Sequence, residues 1–296
     1  MNKKIIGIPR AFFYHRYGIL WRKFFEKIGC KVIISPETNK EILQLGINNS
    51  FEECCLSYRI YIGHVLYLIN KCDYIITTKE CNHIKKNEVC TKINNSYNYL
   101  TYIIPKEQKL SYDPAYTFFG LIKIGLKLTK NPIKTLYSYF YAWMRQQKYN
   151  QSKYNENKNK LLSSNKKILL LSQFYNINDD YINGYIKTYL SKNNVSVISS
   201  NYLDSKTAIL FSDYLQESIY LKQAKEIIGA LYYYKHQVEG IVFVSTHNCD
   251  VDSFINSIIT SKNKDIPILN LIINENIMTL NLEIKLECFI DIIKRM

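Results

Sequence analysis

The sequence predicts an α/β fold of two doubly wound, Rossmann-like (flavodoxin-like) lobes, with parallel sheets that face a central cleft and a helical connection between the lobes. Short apolar runs alternate with stretches of helical periodicity, which is typical of a parallel sheet covered by helices. This plan occurs once in each half of the chain. A chain of 296 residues is also longer than one compact core usually serves. We therefore expect a first α/β lobe at 1–110, a helical connecting segment at 111–165 and a second α/β lobe at 166–296.

The first lobe opens on an apolar run that is ended by Gly7 and Pro9. Aromatic and aliphatic residues then follow at helical spacing up to Ile28, where Gly29 closes the helix. The other elements follow from β-branched runs and from helical periodicity. We predict strands at 4–8, 30–35, 74–78 and 102–104, and helices that end at 28 and that span 38–46 and 58–70.

The connection and the second lobe follow from the same signals. The periodicity between Pro114 and Leu162 is almost wholly helical, and residues 145–167 are dense in Lys, Asn, Gln and Ser, so the lobes are predicted to join there. The second half then repeats the plan, with strands predicted at 168–171, 195–198, 240–244 and 268–273. Helices are predicted at 179–191, at 207–236 with a break near Asp213 or Ser218, at 253–261 and at 284–295, and 245–252 is predicted to be a loop.

Composition and charge limit the classes of function. The proportions of 47% hydrophobic and 22% charged residues are those of a folded globular chain. The formal charge of +14, from 39 basic and 25 acidic residues, attracts anions such as nucleic acid, coenzyme A phosphates or acidic proteins, and charge alone does not choose among them. The N-terminus lacks the apolar region of a secretory signal, and no apolar run approaches the roughly 20 residues that span a bilayer. We therefore expect a cytoplasmic protein without a membrane partner.

Eight cysteines in a reducing compartment are not expected to form a disulfide framework. Three of them, Cys55, Cys90 and Cys249, are placed where a strand or helix meets a loop. Their spacing matches neither a zinc nor a ferredoxin signature, so spacing alone favours ordinary buried or surface cysteines. Metal ligation and thiol reactivity remain alternative roles for these three cysteines. Cys30, Cys72, Cys81 and Cys288 are interpreted as structural.

Other polar residues have both a functional and a structural interpretation. Arg10, at a strand-to-helix turn, could hold a phosphate or carboxylate or could be solvated. His64 lies beside Gly63 in a predicted helix, where packing is the favoured interpretation. Tyr175 and Asn176 could line the cleft from the second lobe, although turn formation also explains Asn176. Neither GxxxxGK[ST] nor a GxGxxG after a strand occurs, so the chain is not expected to be an ATPase.

Six segments resemble the 2-hydroxyacyl-CoA dehydratase subunits and the related acyl-CoA dehydratase activase family, of which this chain looks like a divergent stand-alone member. IGIPRAFFYHRYGILWRKFFEKIGCKVIISPETNKEILQLG resembles the start of the stand-alone relatives. ECCLSYRIYIGHVLYLINKCDYI, NEVCTKI and VEGIVFVSTHNCDVDSF resemble the three cysteine segments, around Cys55, Cys90 and Cys249. SQFYNINDDYIN resembles the strand-to-helix turn of the second lobe, and LEIKLECFIDIIKRM resembles the terminal helix.

The resemblance implies a 4Fe-4S-like cluster held between the lobes by Cys55, Cys90 and Cys249. Arg10, Tyr175 and Asn176 are candidate cofactor-binding residues because of their positions in the predicted fold. His247, two residues before the third cysteine, could donate to a cluster sulfur or could be an idle loop residue. In the family, a partner ATPase with its own iron-sulfur cluster injects one electron at low potential, and the dehydratase removes water from a 2-hydroxyacyl-CoA through a ketyl radical. The resemblance therefore implies low-potential electron transfer or radical dehydration or reduction, an activator partner and an acyl-CoA substrate.

The chain departs from the family pattern at several positions. Ser57 and Thr91 replace prolines near the first two cysteines, and Asn248 and Asp250 replace glycines on either side of the third. The acidic, glycine-containing segment after the last strand is replaced by NENIMTLNLE, which retains Glu275. These departures leave open an alternative, a non-catalytic, cluster-free binding or assembly protein on the same fold. Nucleic-acid binding through 145–167, with Tyr149 and Tyr154 among its lysines, is a weaker alternative.

Overall fold

The structure is a computed structural model that describes residues 3–77, 90–110, 115, 117–215, 219–275 and 280–295. The chain divides into two compact units, Met1–Asn150 and Gln151–Met296. Each unit contains a four-stranded parallel sheet covered by helices. The predicted α/β class with two doubly wound sheets is therefore confirmed, whereas the central cleft stays a prediction. No described helix has both the length and the apolar character needed to cross a bilayer.

The sheet of the first unit has the strand order β2-β1-β3-β4. Its strands are β1 (Ile5–Ile8), β2 (Lys31–Ile34), β3 (Tyr74–Ile75) and β4 (Lys109–Leu110). The helices of this unit are α1 (Tyr14–Ile28), α2 (Lys40–Asn48), α3 (Leu56–Leu68), α4 (Thr91–Asn94), α5 (Ser96–Ile103), α6 (Phe118–Thr129) and most of α7 (Pro132–Leu161). Trp21, Phe24, Phe25 and Tyr61 are among the largest fully buried side chains. These aromatic residues of α1 and α3 form much of the core.

The sheet of the second unit has the order β6-β5-β7-β8, which repeats the order of the first sheet. Its strands are β5 (Lys166–Leu171), β6 (Val195–Ser199), β7 (Gly240–Thr246) and β8 (Ile268–Ile273). The helices are α8 (Phe174–Asn178), α9 (Asp180–Lys192), α10 (Ser205–Ser212), α11 (Lys222–Tyr234), α12 (Asp250–Lys262) and α13 (Leu280–Arg295), with short 3-10 helices at Ser200–Tyr202, Asp213–Leu215 and Lys235–Gln237. Buried aliphatic residues of β5, β7, α11 and α12 form one continuous core. The predicted repetition of one plan in both halves is confirmed.

A helix pair that crosses at a glycine lies at the same topological place in both units. In the first unit α2 and α3 connect β2 to β3, and a Cβ atom on Gly63 would lie 1.9 Å from the carbonyl oxygen of Ile42. In the second unit α10 and α11 connect β6 to β7, and a Cβ atom on Gly229 would lie 1.6 Å from the carbonyl oxygen of Ala208. Because real Cβ atoms do not approach backbone so closely, only glycine permits these crossings.

Two predicted elements are wrong. Residues 102–104 were predicted as a strand, but they follow or end α5, and the fourth strand is β4. Ser96, Leu100 and Ile104 are buried at a spacing of four, so packing of one helical face overrides the β propensity of the run. The predicted loop 245–252 is also too long, because Ser245 and Thr246 pair with β8 and α12 begins at Asp250. Only His247, Asn248 and Cys249 connect the two elements.

The other predicted strands and helices are confirmed to within a few residues at their ends. The break predicted in 207–236 lies between α10 and α11, with a 3-10 turn at Asp213. Pro114, Thr78 and Ser218, to which some predictions referred, lie outside the described residues. The two compact units divide inside α7. The three-part division with a separate segment at 111–165 stays a prediction.

Candidate functional site

The strand order places a topological switch point in each sheet. β1 and β3 are neighbours in the first sheet, and β5 and β7 are neighbours in the second. In open parallel sheets of this order, ligands bind at the carboxyl ends of the strands where the direction of winding changes. The residues that follow β1 and β3 in the first unit, and β5 and β7 in the second, are therefore the candidate site residues of each unit.

Arg10 follows β1 and is already engaged within its own unit. Its backbone N–H donates to Oγ of Ser35 at 2.8 Å, and its Nη1 donates to the Glu37 carboxylate at 3.0 Å. Nε of Arg10 is buried and has no partner in the described part of the chain. The guanidinium group therefore pairs with the exposed carboxylate of Glu37, and a bound phosphate or carboxylate at Arg10 stays a prediction.

An aromatic cluster lies beside the first cysteine segment. Phe12, at a positive φ of 47°, stacks on Tyr61 with ring centroids 4.8 Å apart. Tyr58 packs against both rings and against Tyr99, which belongs to α5. Burial, followed by neighbouring tyrosine and cysteine groups, raises the pKa of Tyr58. The cluster makes the surroundings of Cys54 apolar, and burial raises the pKa of that thiol as well.

Cys55 and Cys90 each lie at the start of a helix. Cys55 is the N-cap residue of α3, and Cys90 is the N-cap residue of α4. Cys55 is buried, and Cys90 is partly buried. Burial raises the pKa of Cys90 and Cys55 raises it further, whereas the backbone N–H groups of Ile93 and Lys92 lower it. Nζ of Lys92 donates to the carbonyl of Glu53 at 2.7 Å, so the segments that carry Cys90 and Cys55 lie close together in the first unit.

His64 is a structural histidine, as the sequence favoured. Its ring is completely buried in α3, with Nδ1 2.8 Å from Oγ of Ser35 and Nε2 3.0 Å from Oγ1 of Thr38. Burial lowers its pKa to about 3, and the nearby charges of His15 and Arg10 act in the same direction. The ring is therefore neutral near pH 7, and both of its nitrogens are occupied by hydroxyl groups.

Cys249 occupies the corresponding place in the second unit. It follows β7, as Cys90 follows β3, and it is the N-cap residue of α12. Asn248 adopts a φ of +58°, the left-handed conformation that glycine favours and that asparagine adopts more readily than most other residues. Asp250, in the first turn of α12, places its negative charge where the helix dipole stabilises it.

Asp252 and Gln173 form a buried polar pair beside Cys249. Oδ2 of Asp252 accepts the backbone N–H of Thr246 at 3.1 Å. Burial raises the pKa of Asp252 to about 6, while Thr246, the Cys249 thiol and Gln173 lower it. Gln173 faces the carboxyl group without reaching full hydrogen-bond geometry, since Oδ1 of Asp252 and both amide atoms of Gln173 have no partner in the described part of the chain. Neither residue was predicted from the sequence.

Tyr175 and Asn176 lie on α8, directly after β5, and both are buried. Asn176 donates its N–H to the carbonyl of Gln173, and its own carbonyl accepts Nδ2 of Asn183 at 2.8 Å. The ring of Tyr175 packs edge-on against Phe174. The structure thus places both residues at the carboxyl end of the second sheet and gives them a role in the local turn, and their ligand-binding role stays a prediction.

The remaining sequence candidates are dispersed. Cys30 and Cys72 are partly buried, and Cys72 donates to the carbonyl of Leu68 at 3.4 Å. Cys288 is exposed, and Cys81 lies outside the described residues. His247 is exposed, with its N–H donated to the carbonyl of Ile273. Among the described residues, no group of three or more His, Cys, Asp or Glu side chains is close enough to hold a metal ion.

The sequence was compared with protein-family models and with curated proteins. A family model described as CoA enzyme activase uncharacterised domain (DUF2229) matches residues 5–203, about two thirds of the chain. This chain belongs to that family. The matched residues include Arg10, Cys55, Cys90, Tyr175 and Asn176, and Cys249 lies beyond them. The comparison with curated proteins found no significant match.

The family assignment supports the activase- and dehydratase-related part of the sequence resemblance. It is consistent with an activator and dehydratase partnership, and it identifies no particular partner. The departures at Ser57 and Thr91 lie within the matched residues, whereas Asn248 and Asp250 lie beyond them. Asn248 has a positive φ, and substitution at this position tests that conformation.

We expect Asn248→Gly to change the free energy of unfolding by only a few tenths of a kcal/mol, because glycine and asparagine both accept a positive φ. Asn248→Val is expected to cost about 1–2 kcal/mol, the penalty of a side chain with a Cβ branch in the left-handed region. Urea denaturation of the two variants measures the difference. Asn194 also has a positive φ, +60°, so Asn194→Gly and Asn194→Val provide the matched control pair. Equal stability of Asn248→Val and Asn248→Gly would contradict the left-handed conformation of Asn248.

Proposed function

We propose that the chain is an iron-sulfur protein of the 2-hydroxyacyl-CoA dehydratase type. Cys55 and Cys90 of the first unit and Cys249 of the second are the proposed ligands of a 4Fe-4S-like cluster. The protein would act in low-potential electron transfer, or in radical dehydration or reduction of an acyl-CoA, with an ATP-dependent activator as partner. The family to which the chain belongs supports this assignment, because it is described as a CoA enzyme activase domain.

The observation that carries the proposal is the position of the three cysteines. Each is the N-cap residue of a helix. A helix start lowers the cost of a thiolate, because its dipole and its free N–H groups favour negative charge. The other described cysteines are not helix N-caps. The candidate ligands therefore share a local structure that suits thiolate ligation.

The donor set also fits an iron-sulfur group chemically. Thiolates are the usual protein ligands of such clusters, and hydrogen bonds to sulfur tune the reduction potential. The amides of Lys92 and Ile93 favour the thiolate of Cys90 and would act in this way. When bound, the cluster would supply single-electron transfer and, with three protein ligands, one iron position open to another ligand. The aromatic residues beside Cys54 and Cys55 would limit access of water.

Asp252 would oppose a negative charge on Cys249, since the thiol of Cys249 donates toward this buried carboxyl group. Ionisation of both groups in one dry neighbourhood is unfavourable. The carboxyl group is therefore expected to take up a proton when Cys249 binds iron. This requirement and the loss of glycine at Asn248 are the features that favour the alternative, a cluster-free binding or assembly protein on the same fold.

Substitution of single cysteines tests the proposal. The chain is reconstituted without oxygen with ferrous iron and sulfide, and the visible absorption of the bound cluster is measured. We expect Cys55→Ser, Cys90→Ser and Cys249→Ser each to lose most of the absorption, because a cluster with only two protein thiolates is poorly held. Cys288→Ser, the exposed control, and Cys72→Ser should keep the absorption of the wild-type protein.

Equal absorption in all five variants would contradict the ligand assignment, because iron would then be bound without regard to these cysteines. A wild-type chain that remains colourless under conditions that keep it folded would favour the cluster-free alternative. Circular dichroism of each variant establishes that loss of absorption does not follow from loss of the fold.

A further inference from the structure

Helix α7 has its apolar face outward in the first unit. The side chains that it buries are small or polar, namely Thr135, Ser138, Ala142 and Gln146. Oε1 of Gln146 accepts the N–H of Leu20 at 3.0 Å, so this polar face is fixed on α1. A surface helix of a globular protein normally buries its apolar stripe and exposes its polar face. The orientation of α7 is the reverse.

The outward face forms a continuous stripe, which we call the α7 stripe. Its members are exposed and recur at helical spacing over about three turns: Ile133, Leu136, Tyr137, Phe140, Trp143 and Met144. Ile133 is 81% exposed and Phe140 is 54% exposed, whereas Ala142 on the opposite face is completely buried. Contiguous exposed apolar surface of this kind marks an interaction site more often than scattered single residues do.

The surroundings of the α7 stripe are basic. Residues 114–155 contain seven Lys or Arg residues and no Asp or Glu. Nζ of Lys27 lies 5.2 Å from the ring centre of Tyr137 and 4.9 Å from that of Tyr141, and the guanidinium of Arg145 lies 5.4 Å from the ring of Tyr141. These aromatic rings hold the cations along one edge of the stripe.

The pKa of Tyr141 also reflects this positive edge. The hydrogen bond from Arg145 and its charge lower the pKa of the phenol, and Lys23 and Lys27 lower it further. The same positive charges that favour a negative charge on Tyr141 would attract an acidic group of a binding partner to this edge.

We propose that the α7 stripe is the docking surface for a partner protein that presents an apolar helix face bordered by Asp and Glu residues. Tyr, Trp, Phe, Met and Arg are the residues enriched at the centres of protein interfaces, and the stripe with its edge contains all five types. Apolar burial would supply the affinity, and the opposite charges would fix the partner's orientation and speed its association. This inference does not depend on a cluster at Cys55, Cys90 and Cys249.

A second copy of the chain fits the α7 stripe less well. Two such stripes in contact would bring two basic edges together without an acidic residue from 114–155 on either side, and like charges across an interface are unfavourable. A membrane surface is also less suited. A helix that lies in the bilayer interface exposes a charged face opposite its apolar face, but that face of α7 is buried against α1 and α6.

Binding of a synthetic helical peptide tests the proposed chemistry. The probe is an amphipathic peptide with leucine on one face and glutamate on the flanks, and its counterpart carries lysine in place of glutamate. We expect the full chain to bind the glutamate peptide, with affinity that falls as salt increases, and to bind the lysine peptide at least tenfold more weakly. Phe140→Ser/Met144→Ser and Lys27→Glu/Arg145→Glu should each weaken binding at least tenfold. Tyr102→Ser, an exposed aromatic change outside the stripe, should leave it unchanged.

Three results would overturn the proposal. One is that the glutamate peptide does not bind, or that stripe variants shown to be folded by circular dichroism bind it as tightly as the wild-type chain does. Another is cosedimentation with vesicles of phosphatidylserine and phosphatidylcholine that is abolished by Phe140→Ser/Met144→Ser, without peptide binding. The last is a dimer in sedimentation equilibrium that the same double variant dissociates. These last two results would assign the stripe to a lipid surface or to a second copy of the chain.

Discussion

Gly63→Ala is expected to destabilise the first unit by about 3 kcal/mol or more, at the upper end of the cost of overpacking. The new methyl carbon would lie 1.9 Å from the carbonyl oxygen of Ile42 and 2.9 Å from its carbonyl carbon. Both atoms belong to the backbone of α2, so the two helices must move apart. In an open helix the same change would instead stabilise by about 0.5–1 kcal/mol. A loss of stability in Gly63→Ala, rather than a gain, therefore indicates that the two helices cross closely at this glycine.

Gly229→Ala is the matched change in the second unit, and Gly184→Ala is its control. At Gly229 the Cβ atom would meet the backbone of Ala208, whereas at Gly184 it would lie 3.3 Å from the side-chain Cβ of Asp180. Urea denaturation followed by circular dichroism should show a large loss of unfolding free energy for Gly229→Ala and a small change for Gly184→Ala. A neutral effect of Gly63→Ala and Gly229→Ala together would contradict the equivalence of the two helix pairs.

The second large effect is a loss of stability in acid caused by His64. The pKa of His64 is about 3 in the folded chain, whereas an exposed histidine, as in the unfolded chain, has a pKa of 6.5. Between pH 6.5 and pH 3 the unfolded chain therefore binds one proton more than the folded chain does. The contribution of His64 is therefore complete above pH 6.5 and is lost as the pH falls. The loss amounts to about 2 kcal/mol at pH 5 and about 4 kcal/mol at pH 3.

His64→Gln separates this loss from the titration of other groups. Glutamine can hydrogen-bond to the hydroxyls of Ser35 and Thr38 and does not titrate. At pH 8 the variant should be less stable than the wild-type protein by about 1–3 kcal/mol, as expected for a disturbed buried polar group. This difference should shrink as the pH falls toward 5. Parallel stability curves from pH 8 to pH 5 would show that His64 is not held neutral by burial.

The sequence was sufficient to predict the repeated parallel sheets, because strands buried on both faces are short apolar runs that stand out between amphipathic helices. It was not sufficient for residues 102–104, where the chain has high β propensity and yet ends a helix. Burial of Ser96, Leu100 and Ile104 on one face favours a helix over a strand in that segment. Such packing depends on distant parts of the unit. Short two-residue strands such as β4 carry too little pattern to be recognised.

The candidate site was predictable where a residue follows a strand end or starts a helix. Cys55, Cys90, Cys249 and Arg10 satisfy this condition, and the family resemblance singled out the three cysteines. Asp252 and Gln173 were missed because their proximity arises only when β5 and β7 become neighbours in the sheet. Asp252 gave one local signal, since an acidic residue three positions after an N-cap is common at helix starts. The sequence alone could not show that its carboxyl group is buried.

The orientation of α7 also could not be predicted. The periodicity of Ile133, Leu136 and Phe140 indicates a helix with an apolar face, and that face is usually buried. The glycine-containing surface of α6 instead packs near Thr135, where a Cβ atom on Gly125 would lie 2.6 Å from Cγ2 of Thr135. Close approach therefore requires small side chains on this face of α7, and the larger apolar residues point outward.

The iron and acid-labile sulfide content of the wild-type chain, purified without oxygen, tests the central claim most directly. The proposed cluster predicts about four irons and about four sulfides per chain, the composition of a 4Fe-4S cluster. The chain should also contain this iron before any reconstitution. A folded chain that contains neither iron nor sulfide, before and after reconstitution, would contradict the proposed iron-sulfur function.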